Sequence, residues 1–245
     1  MGSVNMNMIN KLLLLALLAA PVMANAASTG VHLDKAPANL EDSASLQRGA
    51  KFFIANCLAC HSASYMRYNR LKDIGMSEDE IKTLLPEGVK IGATMPAGMD
   101  AAATKASFGV AAPDLSVIGR SRSTDWLYTY FRSFYADSAK ASGANNTVFP
   151  DVAMPNIFAG MQGVQQLRVE KQGDHEVKTL VLAEPGSMTK EQFDAEIADL
   201  TNYLDFMGEP AKLVRYKIGY LVLGFLAFLF VLSYALKKEY WKDVH

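Results

Sequence analysis

The feature that most constrains this chain is the sequence Cys57-Leu58-Ala59-Cys60-His61, which contains both of its cysteines. It has the C-x-x-C-H spacing by which c-type haem is attached to a protein. Two thiols on one helical turn can each bond to a haem vinyl group, and the adjacent imidazole can ligate the iron. The motif predicts one covalently bound haem c, with Cys57 and Cys60 as attachment sites and His61 as an axial ligand.

Three other uses of the motif fit less well. A thioredoxin-like redox pair belongs in a βαβ context, which this segment lacks. A structural zinc site needs four ligands, and the chain would have to recruit scattered histidines from a total of 4. A disulfide between Cys57 and Cys60 would leave His61 without a role.

The N-terminus has the features of a secretory signal. Lys11 precedes an apolar run from Leu12 to Ala20, and Pro21 and the small-residue sequence Ala24-Asn25-Ala26 follow it. The run is too short to span a bilayer. We expect cleavage after Ala26, so that residues 1–26 are a signal peptide and the haem is attached outside the cytoplasm.

A second apolar segment predicts a membrane anchor. Ile218 to Leu236 has no charged residue and would extend roughly 28 Å as a helix. Aromatic residues typical of a membrane interface stand at its ends: Tyr216, Tyr220, Tyr234, Tyr240 and Trp241. A buried core helix is the alternative.

Basic residues on the two sides of this segment balance, so the predicted signal peptide decides its orientation. We expect residues 27–210 to form a periplasmic haem domain and residues 211–238 to be a single transmembrane helix in a bacterial inner membrane. Residues 239–245 would be a cytoplasmic tail.

The exported part is predicted to be mainly α, a cytochrome c-type haem domain with long loops and one small β-hairpin. Apolar residues at helical spacing lead from Leu46 into the haem motif. Capping boxes at Ser77 and Thr189 predict two more helices. A further helix is predicted from about Thr124 to Asp137, with an aromatic stripe that usually means core packing.

Two segments do not have a helical pattern. Lys90 to Pro113 is rich in Gly, Ala, Met and Pro without a clear period, which predicts a loop. Val164 to Ala183 alternates around Gln172-Gly173-Asp174, which predicts the β-hairpin.

The sixth iron ligand determines whether the haem transfers electrons or binds a substrate at an open iron position. A neutral methionine thioether favours a high reduction potential. Met154 is best placed, because Pro150 and Pro155 stiffen its loop. Met95 is the second candidate, and packing is the alternative role for any methionine. Met99, Met161 and Met188 also remain as candidates.

Several segments together resemble cytochrome c1. They are the haem motif followed by Met66-Arg67-Tyr68, Ala112-Pro113-Asp114-Leu115-Ser116 followed by Arg120-Ser121-Arg122, Ala153-Met154-Pro155, and the C-terminal apolar segment. Their order is that of the family, and they cover nearly the whole exported chain. The resemblance implies that His61 and Met154 are the axial ligands.

The resemblance also implies which residues surround the haem. Arg122 would pair with a haem propionate, a contact that suits a guanidinium, and Arg120 is the alternative. A solvated surface charge is the other role open to either arginine. Pro113 would lie against the haem, and Trp126 stands roughly where the family often has a tyrosine near the propionates. Relatives can have a haem-contacting asparagine near the position of Ser107. Because this chain has a serine there, the resemblance does not assign that contact to it.

Cytochrome c1 is the haem c subunit of the cytochrome bc1 complex, a quinol–cytochrome c oxidoreductase. The resemblance implies that this chain accepts one electron from the Rieske iron–sulfur protein and passes it to a c-type cytochrome. Its setting would be a dimeric complex with cytochrome b, and the chain would need no catalytic residue of its own.

Two other classes of protein are the alternatives. One is a stand-alone membrane-anchored cytochrome c that feeds a terminal oxidase, although its haem domain would usually be shorter. The other is a haem sensor or enzyme with an open iron. The formal net charge of -1 gives no indication of a nucleic-acid partner.

The stretch from Val169 to Glu209 is rich in Asp and Glu, with Lys171, Lys178 and Lys190 as its lysines. An acidic face there would speed the encounter with a basic cytochrome. A solvated helix face and hairpin is the equally favoured alternative.

Overall fold

The structure is a computed structural model of the chain and describes residues 31–172 and 175–243. The predicted signal peptide, residues 1–26, lies outside the described residues, and so do Gly173 and Asp174 of the predicted hairpin turn. The elements below belong to the unit Leu33–His245.

Helices make up about half of the described residues, and the described strands are mostly short. The helices are α1 (Ser43–Phe52), α2 (Glu78–Thr83), α3 (Ala101–Phe108), α4 (Ile118–Arg122), α5 (Thr124–Arg132), α6 (Ala159–Gln162), α7 (Lys190–Gly208) and α8 (Lys212–Tyr240). A π-helical turn at Phe53–Cys57 continues α1, and a 3₁₀ helix covers Tyr68–Ile74.

The strands are β1 (Ala63–Arg67), β2 (Thr94–Met95), β3 (Phe134–Ala136), β4 (Ala144–Asn146), β5 (Gly163–Gln172) and β6 (His175–Pro185). Within residues 31–172 and 175–243 they form three separate antiparallel pairs, β1 with β2, β3 with β4 and β5 with β6. In the pair β3–β4, Phe134 lies opposite Asn146.

The core forms where α1 crosses α7. A Cβ atom on Gly49 would lie 2.0 Å from the Asp199 carbonyl oxygen, so only glycine permits this approach. Beside the crossing, the Arg48 guanidinium makes two hydrogen bonds to the Asp199 carboxylate, at 2.5 and 3.0 Å. The long helix α7 buries an apolar face that runs from Phe193 to Leu204. This crossing fixes α1, which leads directly into the haem motif.

The helix starts predicted from capping boxes are confirmed. The Ser77 hydroxyl accepts from the Glu80 amide at the start of α2, and the Glu80 carboxylate accepts from the Ser77 amide. Thr189 and Gln192 make the same pair at the start of α7. The hairpin β5–β6 is also confirmed, with Val164 opposite Glu184.

Two local predictions are wrong. The segment 90–113 contains β2 and α3 rather than only loop. Helix α3 is capped by Asp100, whose carboxylate accepts from the Ala103 amide, and it buries only Thr104. A helix that buries one residue has no apolar period to detect. The helix predicted over 124–137 ends at Arg132, because the chain then pairs as β3 with β4. The described part of the chain therefore has two small strand pairs besides the predicted hairpin.

Among the described residues, one helix, α8, is long and apolar enough to cross a membrane, and its most apolar 18-residue stretch has a mean hydropathy of 2.2. None of its most apolar stretch is buried, which argues against the alternative of a core helix. Its first turn is linked to the end of α7, where Lys212 lies 3.1 Å from the Asp205 carboxylate and Arg215 pairs with Glu209.

Candidate functional site

A cavity of about 300 Å³ with largely apolar walls lies between the haem motif, α5 and the loop before α6. Cys57, Cys60, His61 and Met154 all line it, although Met154 is far from the motif in sequence. The further residues that sequence and resemblance indicated around it are Pro113, Arg122 and Trp126, which also line the cavity.

The haem motif lies at the end of α1 and its π-helical extension. The amide of His61 donates to the Cys57 carbonyl at 2.9 Å, so the motif makes one more tight turn after the π-helical segment. Cys57 is buried, and burial raises the pKa of its thiol to about 12. Redox-active cysteines of the thioredoxin type need a lowered thiol pKa. This environment does not favour the thioredoxin-like alternative.

His61 is oriented by a backbone carbonyl. Its Nδ1 lies 2.8 Å from the Pro113 oxygen, and because a carbonyl can only accept, Nδ1 carries the proton. Burial lowers the pKa of His61, although Pro113 and Asp114 act in the opposite direction. The neutral ring then has a lone pair on Nε2, the form in which histidine binds a metal.

Asp114 connects the Pro113 loop to the chain that follows His61. Its carboxylate accepts from the Ser62 hydroxyl at 2.7 Å and from the amides of Ser64 and Ser116 at 2.8 Å each. Burial alone would raise the pKa of Asp114, but these hydrogen bonds outweigh it and hold the pKa below its usual range. The network therefore positions the carbonyl that orients His61.

Two adjacent asparagines shape the loop that carries Met154. The Asn146 side-chain oxygen accepts from the amides of Val148 and Phe149 at 2.9 and 3.2 Å, and its amide group donates to the Tyr130 carbonyl at 2.8 Å. Asn145 accepts from the amide of Asp151, which has a φ of 63°. The sequence does not single out either asparagine, because each acts through contacts that form only after β3 and β4 pair.

Tyr130 contacts the sulfur of Met154 directly. Its hydroxyl donates to Met154 Sδ at 3.4 Å, and burial raises the pKa of the phenol so that it keeps its proton. From the sequence, Tyr130 belongs to an aromatic stripe that predicts core packing alone. The signal that could have distinguished it is the hydroxyl itself, since a buried phenol needs a hydrogen-bond partner.

The two candidate arginines face different surroundings. The Arg122 guanidinium lies 5.1 Å from the ring centre of Trp126 and 5.7 Å from that of Phe149, at the edge of the cavity. Arg120 is not among the described residues that line the cavity, and its side chain packs against Gly208 of α7. The geometry favours Arg122 as the partner of an anionic group in the cavity.

The rival methionines also lie elsewhere. Met95 is fully buried, with its sulfur 3.9 Å from the Tyr203 hydroxyl. Met99 lies with its sulfur 3.9 Å from Cys60 Sγ and lines a second, smaller cavity instead. Neither they nor Met161 and Met188 are among the described residues of the main cavity.

Some acidic residues of the stretch from Val169 to Glu209 form ion pairs with basic side chains of the same chain. Asp194 accepts from Arg132 at 2.7 Å, and Asp199, Asp205 and Glu209 pair with Arg48, Lys212 and Arg215. Glu170, Glu176, Glu184 and Glu191 are exposed, and Glu196 is half-buried. Four of the acidic residues are therefore paired with basic side chains, which reduces the charge available for docking.

The residues present fit a covalently attached haem. Two thiols, a neutral imidazole and a thioether line one apolar cavity, and a guanidinium at its edge suits a carboxylate such as a haem propionate. With the apolar helix α8, these are the features of a membrane-anchored c-type cytochrome.

The comparisons with known proteins agree. The model of the cytochrome c1 family matches residues 34–94 and 90–244, and the chain belongs to this family. Its members carry one covalently bound haem c and are membrane-anchored redox subunits of the cytochrome bc1 type, in a complex with cytochrome b and the Rieske protein.

Curated relatives cover nearly the whole chain. Cytochrome c1 of Allochromatium vinosum is 45% identical over 94% of this chain and 96% of its own length. A protein of Nitrosomonas europaea named ammonia monooxygenase gamma subunit is 49% identical over 96% of this chain and 98% of its own. Cytochrome c1 of Rhodospirillum rubrum is 27% identical over 83% of each chain.

Proposed function

We propose that this chain accepts one electron from the Rieske iron–sulfur protein and passes it to a c-type cytochrome. Cys57 and Cys60 would hold the haem, and His61 and Met154 would be its axial ligands. The observation that carries the proposal is that these four side chains line one apolar cavity. A Rieske centre can reach about +300 mV, and a His/Met haem has a comparably high potential, so the transfer is level or downhill.

The bound haem would supply a one-electron couple, and the residues of the chain would set its properties. The Pro113 carbonyl orients His61, burial favours its neutral form, and the Asn146 bonds hold the Met154 loop in place. With the iron ligated on both sides, no position remains for a substrate. Arg122 at the cavity edge would neutralise a propionate that would otherwise be costly to bury.

The proposed setting is a dimeric bc1 complex in a bacterial inner membrane. Residues 27–210 would face the periplasm, α8 would cross the bilayer, and residues 239–245 would be cytoplasmic. The predicted signal peptide, residues 1–26, and the apolar helix α8 support this orientation. Family membership supports cytochrome b and the Rieske protein as partners.

Purification of the chain from its membrane in mild detergent tests the assignment. A b-type cytochrome and a Rieske protein should accompany it, and the preparation should reduce cytochrome c with a quinol. Recovery of the chain alone, with electron transfer to an oxidase, would instead support the stand-alone carrier.

A second candidate setting comes from the Nitrosomonas europaea relative, whose name assigns it to ammonia monooxygenase. If this chain belonged to such an enzyme, the purified complex would oxidise ammonia and would lack quinol–cytochrome c reductase activity. The same preparation therefore distinguishes the two settings.

The docking of the acceptor is tested separately. The exposed acidic residues of the hairpin and α7 would attract a basic cytochrome, and the rate of haem oxidation should then fall as ionic strength rises. A rate that does not depend on salt would refute electrostatic docking but leave the haem assignment intact.

A further inference from the structure

Tyr130 touches the proposed iron ligand without lying near it in sequence. We propose that Tyr130 is a positioning residue for the haem: its hydroxyl holds the Met154 sulfur in place and, by withdrawing electron density from it, raises the reduction potential. The inference rests on the proposed function, because it requires that Met154 ligates the iron.

The phenol ring has little freedom to move. It stacks on Trp126 with ring centres 4.8 Å apart, and Phe131 and Phe134 meet it edge-on at 5.5 and 5.2 Å. Tyr130 is 7% exposed. Because three rings fix the phenol, the position of its hydroxyl is determined by α5 and the core rather than by Met154.

The backbone of Tyr130 is tied to the Met154 loop as well. The Asn146 amide group donates to the Tyr130 carbonyl at 2.8 Å, and its side-chain oxygen accepts from the Val148 amide at the start of that loop. The donor hydroxyl and the acceptor sulfur are thus held at a set separation by one buried side chain.

The chemistry of the thioether allows both interactions. A thioether sulfur has two lone pairs, so one can bind iron while the other accepts the hydrogen bond. A hydrogen bond reduces donation from sulfur, which disfavours ferric more than ferrous iron, and hydrogen bonding around a metal ligand is an established way of tuning it. Packing alone would be served equally well by phenylalanine, which would avoid burying a hydroxyl.

The test is Tyr130→Phe in the full-length haem-loaded chain. This substitution removes one oxygen and leaves the ring packing intact. We expect a shift of the ferric/ferrous equilibrium toward ferric by about three- to tenfold, where tenfold corresponds to 59 mV for one electron. The weak near-red absorption of ferric haem with a methionine ligand should remain but change in position or intensity.

Tyr128→Phe is the matched control. Tyr128 is also buried on α5, but its ring lies against the Arg132 guanidinium, 4.2 Å away, and it is not among the described residues of the cavity. Its substitution should leave the potential and the near-red absorption unchanged.

The outcomes separate the inference from the proposed function. Absence of the near-red absorption in the unmodified protein would refute Met154 as ligand and the inference with it. If that absorption is present and Tyr130→Phe has the potential of the unmodified protein, the ligand assignment stands and the inference is refuted. Equal shifts in both variants would also refute it, since they would reflect the helix rather than the hydrogen bond.

Discussion

Asn146 provides a sharp test of how the Met154 loop is held. Asn146→Ala removes the donor to the Tyr130 carbonyl and the acceptor of the Val148 and Phe149 amides. The Tyr130 carbonyl keeps the Ser133 amide as a donor, and Phe149 is 44% exposed and can bond to water, so the amide of buried Val148 is the group left without a partner. At about 1–3 kcal/mol for one orphaned group, we expect a loss of about 1–3 kcal/mol in the free energy of unfolding.

The assay is urea unfolding of the haem-loaded chain in detergent, followed by haem absorbance, with carbon monoxide binding measured in parallel. Asn146→Ala should also allow carbon monoxide to reach ferrous iron, because the Met154 loop is loosened. Asn69→Ala is the control, since Asn69 is exposed and its change should stay within about 0.5 kcal/mol. A cost for Asn146→Ala that matches this control, with no carbon monoxide binding, would refute the reasoning.

Three further predictions concern the helix crossing, the His61 support and the cavity edge. Gly49→Ala would place a Cβ atom 2.0 Å from a carbonyl oxygen of α7 and should lower unfolding stability by about 1–3 kcal/mol or more, as measured by thermal melting. Because the pKa of Asp114 is lower in the folded state, its ionised carboxylate stabilises the fold at pH values above its unfolded-state pKa of about 3.9, and this stabilisation is lost as the pH falls. Asp114→Asn should therefore be less stable than the unmodified protein at neutral pH, and its stability should fall less when the pH is lowered. Arg122→Gln should lower the reduction potential, because a positive charge near the haem is removed, whereas Arg120→Gln, outside the described cavity lining, should change the potential much less; equal shifts would contradict the geometry.

The sequence predicts best the features that depend on residues close together in the chain. The capping boxes at Ser77 and Thr189 and the apolar segment inside α8 are local patterns, and each corresponds to a helix at nearly the expected boundaries. Helix α3 escapes detection because it buries a single residue, and the short strands β3 and β4 depend on pairing across a loop rather than on their own sequence.

The support of the candidate site is predicted least well. Nothing in the local pattern indicates that Asn146 joins α5 to the Met154 loop, or that Tyr130 reaches the sulfur. Local pattern does not distinguish Arg120 from Arg122, and only the resemblance favours Arg122. In the structure, the packing of α4 against α7 turns Arg120 toward Gly208 and leaves Arg122 at the cavity. Contacts made across the fold decide these positions.

The central claim is that His61 and Met154 close the haem iron on both sides, and carbon monoxide binding to the reduced, intact protein tests it most directly. We expect no spectral change in the unmodified protein or in Met95→Ala, whose side chain lies in the core, and strong carbon monoxide binding in Met154→Ala. Ready binding by the unmodified protein, or no gain of binding in Met154→Ala, would contradict the account.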